Sequence, residues 1–426
     1  MNRRELIQSA GLATAGIFAH NLLNAIGVNI AENKTGKGKT ILLVSGWQDV
    51  NIGDIAHTPG MLHILETFLP EAKIILWKKS NATEEVKILL ESNFPKVKVI
   101  YGKVDADYNV DNYEVYETFK SSDILIHGSG PSVVGQANLE AWAKHTEKPF
   151  GIFGVTIQDI DENLKKLLLK ASFIYTRETK SIEVLKENGI KIGHIVFAPD
   201  ATFFMDIHDD KKADAFLSEN KLEHKKFICA IPRLRYTPYY KFRPGKAGWS
   251  DGKIKMVEET NEKYKELDHA KMREAMIAWV RNTGNKVLIC PEMTYEIDIM
   301  DELMIDPLPD DVKPFVIKRG YWGPDEAASV YKHAHTVLSF ECHSPIIALA
   351  NGTPALYLRQ PEDTIKGQMY YDLGYDDWVF EIMETQGAQI VEQLMDIVDN
   401  YSAAEKKVKK NNQKVKEIYR EAVAVI

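Results

Sequence analysis

From Thr40 onward, short apolar runs alternate with amphipathic segments, and few folds can be built from such a pattern. The runs Thr40–Ser45, Lys73–Trp77, Val97–Tyr101, Asp123–His127, Phe150–Val155, Phe173–Thr176 and His194–Ala198 are too short for core helices and read as buried strands. Between them, Pro59–Phe68, Glu84–Asn93, Tyr113–Lys120, Ala137–His145, Asp161–Lys170 and Lys180–Asn188 carry helical periodicity. Strand-helix alternation at this density predicts a parallel, doubly wound sheet. Near Asp206–Lys226 the chain turns polar, and a second alternating set then begins with Phe227–Ile231. It continues through a helix over Asn261–Asn282, a strand over Lys286–Cys290, a helix after Glu296, Phe315–Ile317, a helix over Asp325–His333 and Val337–Phe340. Helices over Gln386–Asp399 and Ala403–Ala424 close the chain. The expected fold class is α/β: two doubly wound Rossmann-like domains, residues 39–205 and 226–400, facing each other across a cleft. A signal and linker over 1–38 precede them, and a C-terminal helix over 401–426 follows.

A chain of 426 residues is long enough for two such cores. Its net charge of −8 argues against a nucleic-acid partner. Cys229, Cys290 and Cys342 have neither CxxC spacing nor a disulfide framework, so no metal site and no cofactor is expected. At the N-terminus, Arg3-Arg4 precedes the Ala/Gly-rich run Ser9–Phe18, as in a twin-arginine export signal. His20, Asn21 and Asn24 interrupt that run and make it a poor membrane anchor. The expected location is periplasmic or extracellular; the alternative is an amphipathic N-terminal helix on a cytoplasmic protein.

Candidate site residues gather at strand ends. Leu338-Ser-Phe-Glu-Cys-His-Ser-Pro-Ile-Ile-Ala-Leu-Ala-Asn-Gly-Thr-Pro354 reads as a strand, then a helix with Pro345 in its first turn and a stop at Asn351-Gly352. Glu341, Cys342 and His343 then lie at the carboxyl end of a strand beside a helix N-terminus, where open α/β sheets bind ligands. After the first strand, Asn51 and Asp54 are placed to hydrogen-bond a sugar or a phosphate-like group, with Gly53 allowing close approach. After the fourth, Gly128, Ser129 and Gly130 offer backbone N–H groups to an anion. Arg177 ends another strand, as a ligand clamp or as the partner of a neighbouring carboxylate; Asp200 ends the last strand of the domain, as a cap or a site residue. The segment Pro232–Trp249 interleaves Arg233, Arg235, Lys241, Arg243 and Lys246 with Tyr236, Tyr239, Tyr240, Phe242 and Trp249. Aromatic rings stack on sugar faces and guanidinium forks hold carboxylates, so an acidic polysaccharide is the expected partner in an acidic chain.

In order and spacing, Asn51-Ile-Gly-Asp54, Gly128-Ser-Gly130, Gly151-Ile-Phe-Gly154, Thr176-Arg-Glu178, Pro199-Asp-Ala201, Arg233, His343–Pro354, Lys366-Gly367 and Leu373-Gly374 resemble the polysaccharide pyruvyl transferase family. The resemblance implies a GT-B-like pair of domains and transfer of a pyruvyl group from phosphoenolpyruvate, the implied donor substrate, to a sugar. It adds Lys366 to the candidate substrate-binding residues. It also implies that His343 is the acid that protonates the enol carbon, following an Arg-x-His pattern whose Arg clamps the donor. Here that Arg position holds Glu341, and a carboxylate does not clamp an anion. Glu341 and His343 are instead expected to share one face of a strand end as an acid/base pair. That pair suits hydrolysis of a pyruvate ketal on an extracellular glycan, and a non-catalytic glycan-binding protein is the further alternative.

The export reading predicts that mature protein from the native host lacks the residues before about Lys34. Intact-mass measurement checks this, and soluble cytoplasmic protein beginning at Met1 or Asn2 would refute it.

Overall fold

The computed structural model describes residues 38–426. The expected export signal lies outside the described residues.

Seven strands form the first sheet: β1 (Thr40–Ser45), β2 (Lys73–Lys78), β3 (Lys98–Ile100), β4 (Ile124–His127), β5 (Phe150–Val155), β6 (Phe173–Thr176) and β7 (Ile195–Phe197). All neighbours are parallel, in the order β3-β2-β1-β4-β5-β6-β7. Six more form the second: β8 (Phe227–Ile231), β9 (Lys286–Ile289), β10 (Val316–Lys318), β11 (Thr336–Ser339), β12 (Ala355–Arg359) and β13 (Val379–Glu381). They too are parallel throughout, in the order β10-β9-β8-β11-β12-β13. Strand order reverses between β1 and β4 and again between β8 and β11, which makes the carboxyl ends of these strands the places where a crevice opens. Helices cover both faces of a parallel sheet, so its central strands are apolar without alternation. Ile41 to Val44 and Phe227 to Ile231 are accordingly fully buried.

Four expectations are corrected. The first helix runs Ile52–Phe68 and carries Pro59 inside it. Pro59 resembles a first-turn proline in the sequence, but the start is set by Asn51, whose side chain accepts from the Gly53 and Asp54 N–H groups at 2.7 and 3.1 Å. The polar Asp206–Lys226 stretch contains a helix, Asp210–Glu219, which packs on Pro324–His333 and bonds Ser329 through Asp210 at 2.8 Å. After Glu296 there is no regular helix but a 3-10 turn, Thr294–Ile299, running into a π turn, Asp301–Ile305. The long helix begins at Asp251, ahead of the expected Asn261; its first turns carry only Ile254, Met256 and Val257 among polar residues, too few for a periodic signal.

The C-terminal helix Tyr401–Val423 returns to the first sheet, where the Tyr419 hydroxyl donates to the Asp200 carbonyl at 2.7 Å. The loop after β1 and the loop after β9 form an antiparallel bridge, with Ile52 N–H donating to Glu292 O at 3.0 Å and Thr294 N–H to Val50 O at 3.2 Å. Farther along, Asp372 accepts from both Thr179 N–H and Thr179 Oγ1 at 2.8 Å. The first helix lies directly on the turn after β7: a Cβ on Gly60 would stand 2.1 Å from the Ala201 carbonyl oxygen.

Backbone cannot yield to that contact as a flexible side chain would. Gly60→Ala is therefore expected to lower unfolding free energy by about 1–3 kcal/mol, read as a shifted urea midpoint. An unchanged midpoint would mean the helix can slide off the turn.

Candidate active site

His343 opens the helix His343–Ala350, and its side chain is only 10% exposed. Its Nδ1 lies 3.1 Å from Glu292 Oε1. The other oxygen of Glu292 accepts from His343 N–H, Ser344 N–H and Ser344 Oγ at 3.1, 2.6 and 2.8 Å. One buried carboxylate thus caps the helix from outside and orients the ring. Burial favours the neutral imidazole, but the hydrogen bond and charge of Glu292, with Asp200 behind them, outweigh it and raise the His343 pKa. Burial likewise opposes ionisation of Glu292, and the contacts with His343 and Ser344 reverse the effect and lower its pKa.

On its far side, His343 meets the first domain. Its Nε2 lies 3.1 Å from Nε2 of His57, which stands on the first helix and is fully buried. His57 Nε2 is also 3.1 Å from Asp200 Oδ2, and Asp200 receives Arg177 NH1 at 2.7 Å. Burial pushes the Asp200 carboxyl up, but His57 and Arg177 more than reverse this and hold it well below the usual range. The close approach of the domains depends on Gly53, where a Cβ would come 2.2 Å from the His343 ring.

The structure separates Glu341 from His343. β11 ends at Ser339, so neither residue is in a strand and the shared strand face does not exist. Glu341 turns to Arg233 instead, with Oε1 3.0 Å from Nε. Arg233 also reaches Asp363 at 2.5 Å, and Lys366 joins Asp363 at 3.0 Å. Burial raises the Glu341 pKa, partly offset by Arg233. Burial, then Glu341 and Glu292, push the nearby Glu296 carboxyl well above its usual range.

Most residues expected to hold substrate are already committed. Arg235 forms a bidentate pair with Asp268 at 2.9 Å on each side and lies 3.5 Å from the Tyr264 ring centre. Arg177 is fully buried on Asp200, with its Nε donating to Thr156 Oγ1 at 2.7 Å. Gly128 N–H donates to Val44 O at 2.9 Å and Gly130 N–H to Gly154 O at 3.3 Å, so neither faces an anion. Ser129 Oγ accepts from Ala201 N–H at 2.9 Å. Asn51 is a helix cap, while Asp54 sits at the partly open rim, bonded to Gln48. A cavity of about 120 Å³ of mixed lining, from Val133, Ile157 and Leu164 to Thr156, Asp159 and Thr364, lies at the same seam. A larger one of about 970 Å³, against His63, Asp206 and Lys409, includes none of these site residues in its lining.

His57 and Glu292 were not singled out from the sequence. The available signals were an Asp54-x-x-His57 spacing in the first helix and a carboxylate directly after β9, beside the switch point. His57, Asp200 and His343 together offer a two-imidazole, one-carboxylate donor set. Cysteine spacing, the basis for expecting no metal site, carries no information about such a set.

The family model for polysaccharide pyruvyl transferase matches residues 51–360. The chain belongs to this family. Residues 51–360 run from before β2 to the end of β12 and include every member of the His57–Asp200–Glu292–His343 cluster. Several solved structures share the fold of this pyruvyl transferase family member at low identity. A UDP-GlcNAc 2-epimerase from Neisseria meningitidis bound to UDP-GlcNAc is 12% identical over 90% of this chain and 98% of its own, with TM-score 0.54. HepE of Anabaena in complex with UDP-glucose is 12% identical over 90% and 98%, with TM-score 0.53. S. aureus MnaA with UDP is 11% identical over 87% and 90%, with TM-score 0.53. These likenesses establish the GT-B-like two-domain architecture. No functionally curated protein matches the chain in sequence.

Within this pyruvyl transferase fold, the Gly53–His343 contact can be tested by a double-mutant cycle. Gly53→Ala is expected to destabilise the protein by about 1–3 kcal/mol, and by clearly less in a His343→Ala background, where the colliding ring is gone. Equal losses in both backgrounds would show that the clash is not with His343.

Proposed function

We propose that this enzyme moves a pyruvyl group to or from a sugar hydroxyl pair of a glycan, with His343 as the proton-handling group. The observation that carries the reading is the His343 ring at the seam between the domains, oriented by the buried Glu292 carboxylate. In the transfer direction, proton delivery to the methylene carbon of phosphoenolpyruvate makes C2 electrophilic. One sugar hydroxyl adds there, phosphate leaves, and the second hydroxyl closes the cyclic ketal. Glu292 stabilises the ring in its charged state, as a carboxylate behind a catalytic histidine does elsewhere.

A second reading, hydrolysis of a pyruvate ketal, is favoured by one specific feature. The cations proposed to hold an anion are each neutralised: Arg233 by Glu341 and Asp363, Arg235 by Asp268, Arg177 by Asp200 and Lys366 by Asp363. A phosphate-bearing donor suffers most from this, whereas a ketal carries a single carboxylate and needs only water. The chain's expected export points the same way, since phosphoenolpyruvate is a cytoplasmic metabolite.

Purified protein incubated with plain or pyruvylated glycan, with and without phosphoenolpyruvate, separates the readings. Phosphate release requiring both glycan and phosphoenolpyruvate supports transfer; free pyruvate from pyruvylated glycan alone supports hydrolysis. Turnover of neither kind, with glycan still bound, would make the protein a binder and refute both. In whichever direction is active, His343→Ala is expected to reduce turnover roughly 10²–10⁴-fold. Glu341→Gln, which frees one side of Arg233, is expected to strengthen binding of an anionic donor if transfer is the reaction.

A further inference from the structure

We infer that His57, Asp200 and His343 form a binding site for a divalent transition-metal ion, whichever way the pyruvyl group moves. The three donor atoms face one another: His57 Nε2 is 3.1 Å from His343 Nε2 and 3.1 Å from Asp200 Oδ2, and the last two are 3.9 Å apart. Tetrahedral bonds of about 2.0–2.1 Å put donor atoms about 3.3 Å apart; the two edges at His57 are close to this, and the third, at 3.9 Å, has to contract by about 0.6 Å around a tetrahedral ion.

Counting hydrogens leads to the same conclusion. When the ring is neutral, with its proton on Nδ1 facing the Glu292 carboxylate, Nε2 of His343 keeps a lone pair. Asp200 Oδ2 is an acceptor only. One hydrogen on His57 Nε2 would have to serve both contacts at once. The other ring nitrogen of His57 is buried without a hydrogen-bond partner, and Asp54 Oδ1 stands 3.9 Å from it. Moving the His57 proton to that nitrogen turns it toward a carboxylate and leaves three lone pairs converging on one point. A cation at that point satisfies all three atoms.

The surroundings are those of a ligand set with outer support. Glu292 holds the His343 ring and Asp54 stands behind His57, as carboxylates stand behind metal-bound imidazoles. Asp200 is fixed by Thr202 N–H on Oδ1 at 3.0 Å and by Arg177 on Oδ2 at 2.7 Å, which leaves Oδ2 one lone pair for the ion. Two imidazoles and a carboxylate select zinc, iron(II) or cobalt(II) over magnesium or calcium, which prefer oxygen ligands throughout. Remaining coordination positions fall to water or to an oxygen of a substrate. Ion and proton exclude each other at His343 Nε2, so the proton-handling role proposed above belongs to the metal-free form, and in the loaded protein His343 is a ligand only.

The test is a Co²⁺ titration of the full chain after chelator treatment, followed by Zn²⁺ displacement. One equivalent of Co²⁺ is expected to give a visible ligand-field spectrum without a thiolate charge-transfer band, to raise the melting temperature by mass action, and to be displaced by Zn²⁺. His57→Gln should remove the spectrum. Glu292→Gln, which keeps all three ligands, should weaken binding roughly 10–100-fold, the usual cost of losing an outer partner. Folded wild-type protein that binds neither ion at micromolar concentration would overturn the proposal. So would a thiolate band, or affinity unchanged in folded His57→Gln.

Discussion

Much of this molecule hangs on one carboxylate. Glu292 follows β9 and is completely buried, yet it is satisfied from four directions by His343 and Ser344. An ionised carboxylate in such a place would be costly if any of those donors were missing. The helix N-terminus supplies part of the compensation, since its free N–H groups and its dipole both favour negative charge there. In return, the helix start and the imidazole ring are fixed together. The backbone of the same residue accepts Ile52 N–H across the seam. Glu292 therefore joins ring, helix and opposite domain in one arrangement, and removing its charge would loosen all three.

The same economy of charge explains why so few cations remain free. Apart from Arg243, which is exposed and bonds Gln48, the cations drawn into the seam are buried or nearly so, and a buried cation persists only with a partner. Arg177 and Asp200, Arg235 and Asp268, and the four-membered set of Arg233, Glu341, Asp363 and Lys366 meet that condition internally. Glu341, where the resemblance implies an arginine, also engages a neighbouring cation, Arg233. The consequence is a cleft in which the His343 ring is well supported and the buried cations are already paired.

Alternating apolar runs made the architecture legible, because a strand buried on both faces cannot hide its composition. Elements whose signal is periodicity were also found, while those that begin in polar or proline-containing stretches were misplaced. The start of the first helix at Ile52 and of the long helix at Asp251 are of this kind. His343 was legible because it begins a motif; Glu292 and His57 were not, because their importance lies in what they touch across the domain seam. Pairing choices such as Arg233 with Glu341 are equally invisible in a linear chain. Residue type reveals which groups can bind an anion, but only packing decides which are still available to do so.

The central claim is that His343, held by Glu292, meets the pyruvyl group. Nitrogen-15 spectra of the histidine rings test it most directly, with the His343 signals assigned by their loss in His343→Ala. Pyruvylated glycan should shift those signals, while the same glycan stripped of pyruvate should leave them nearly unchanged. Signals that respond equally to both glycans, or to neither at saturating concentration, would contradict the account.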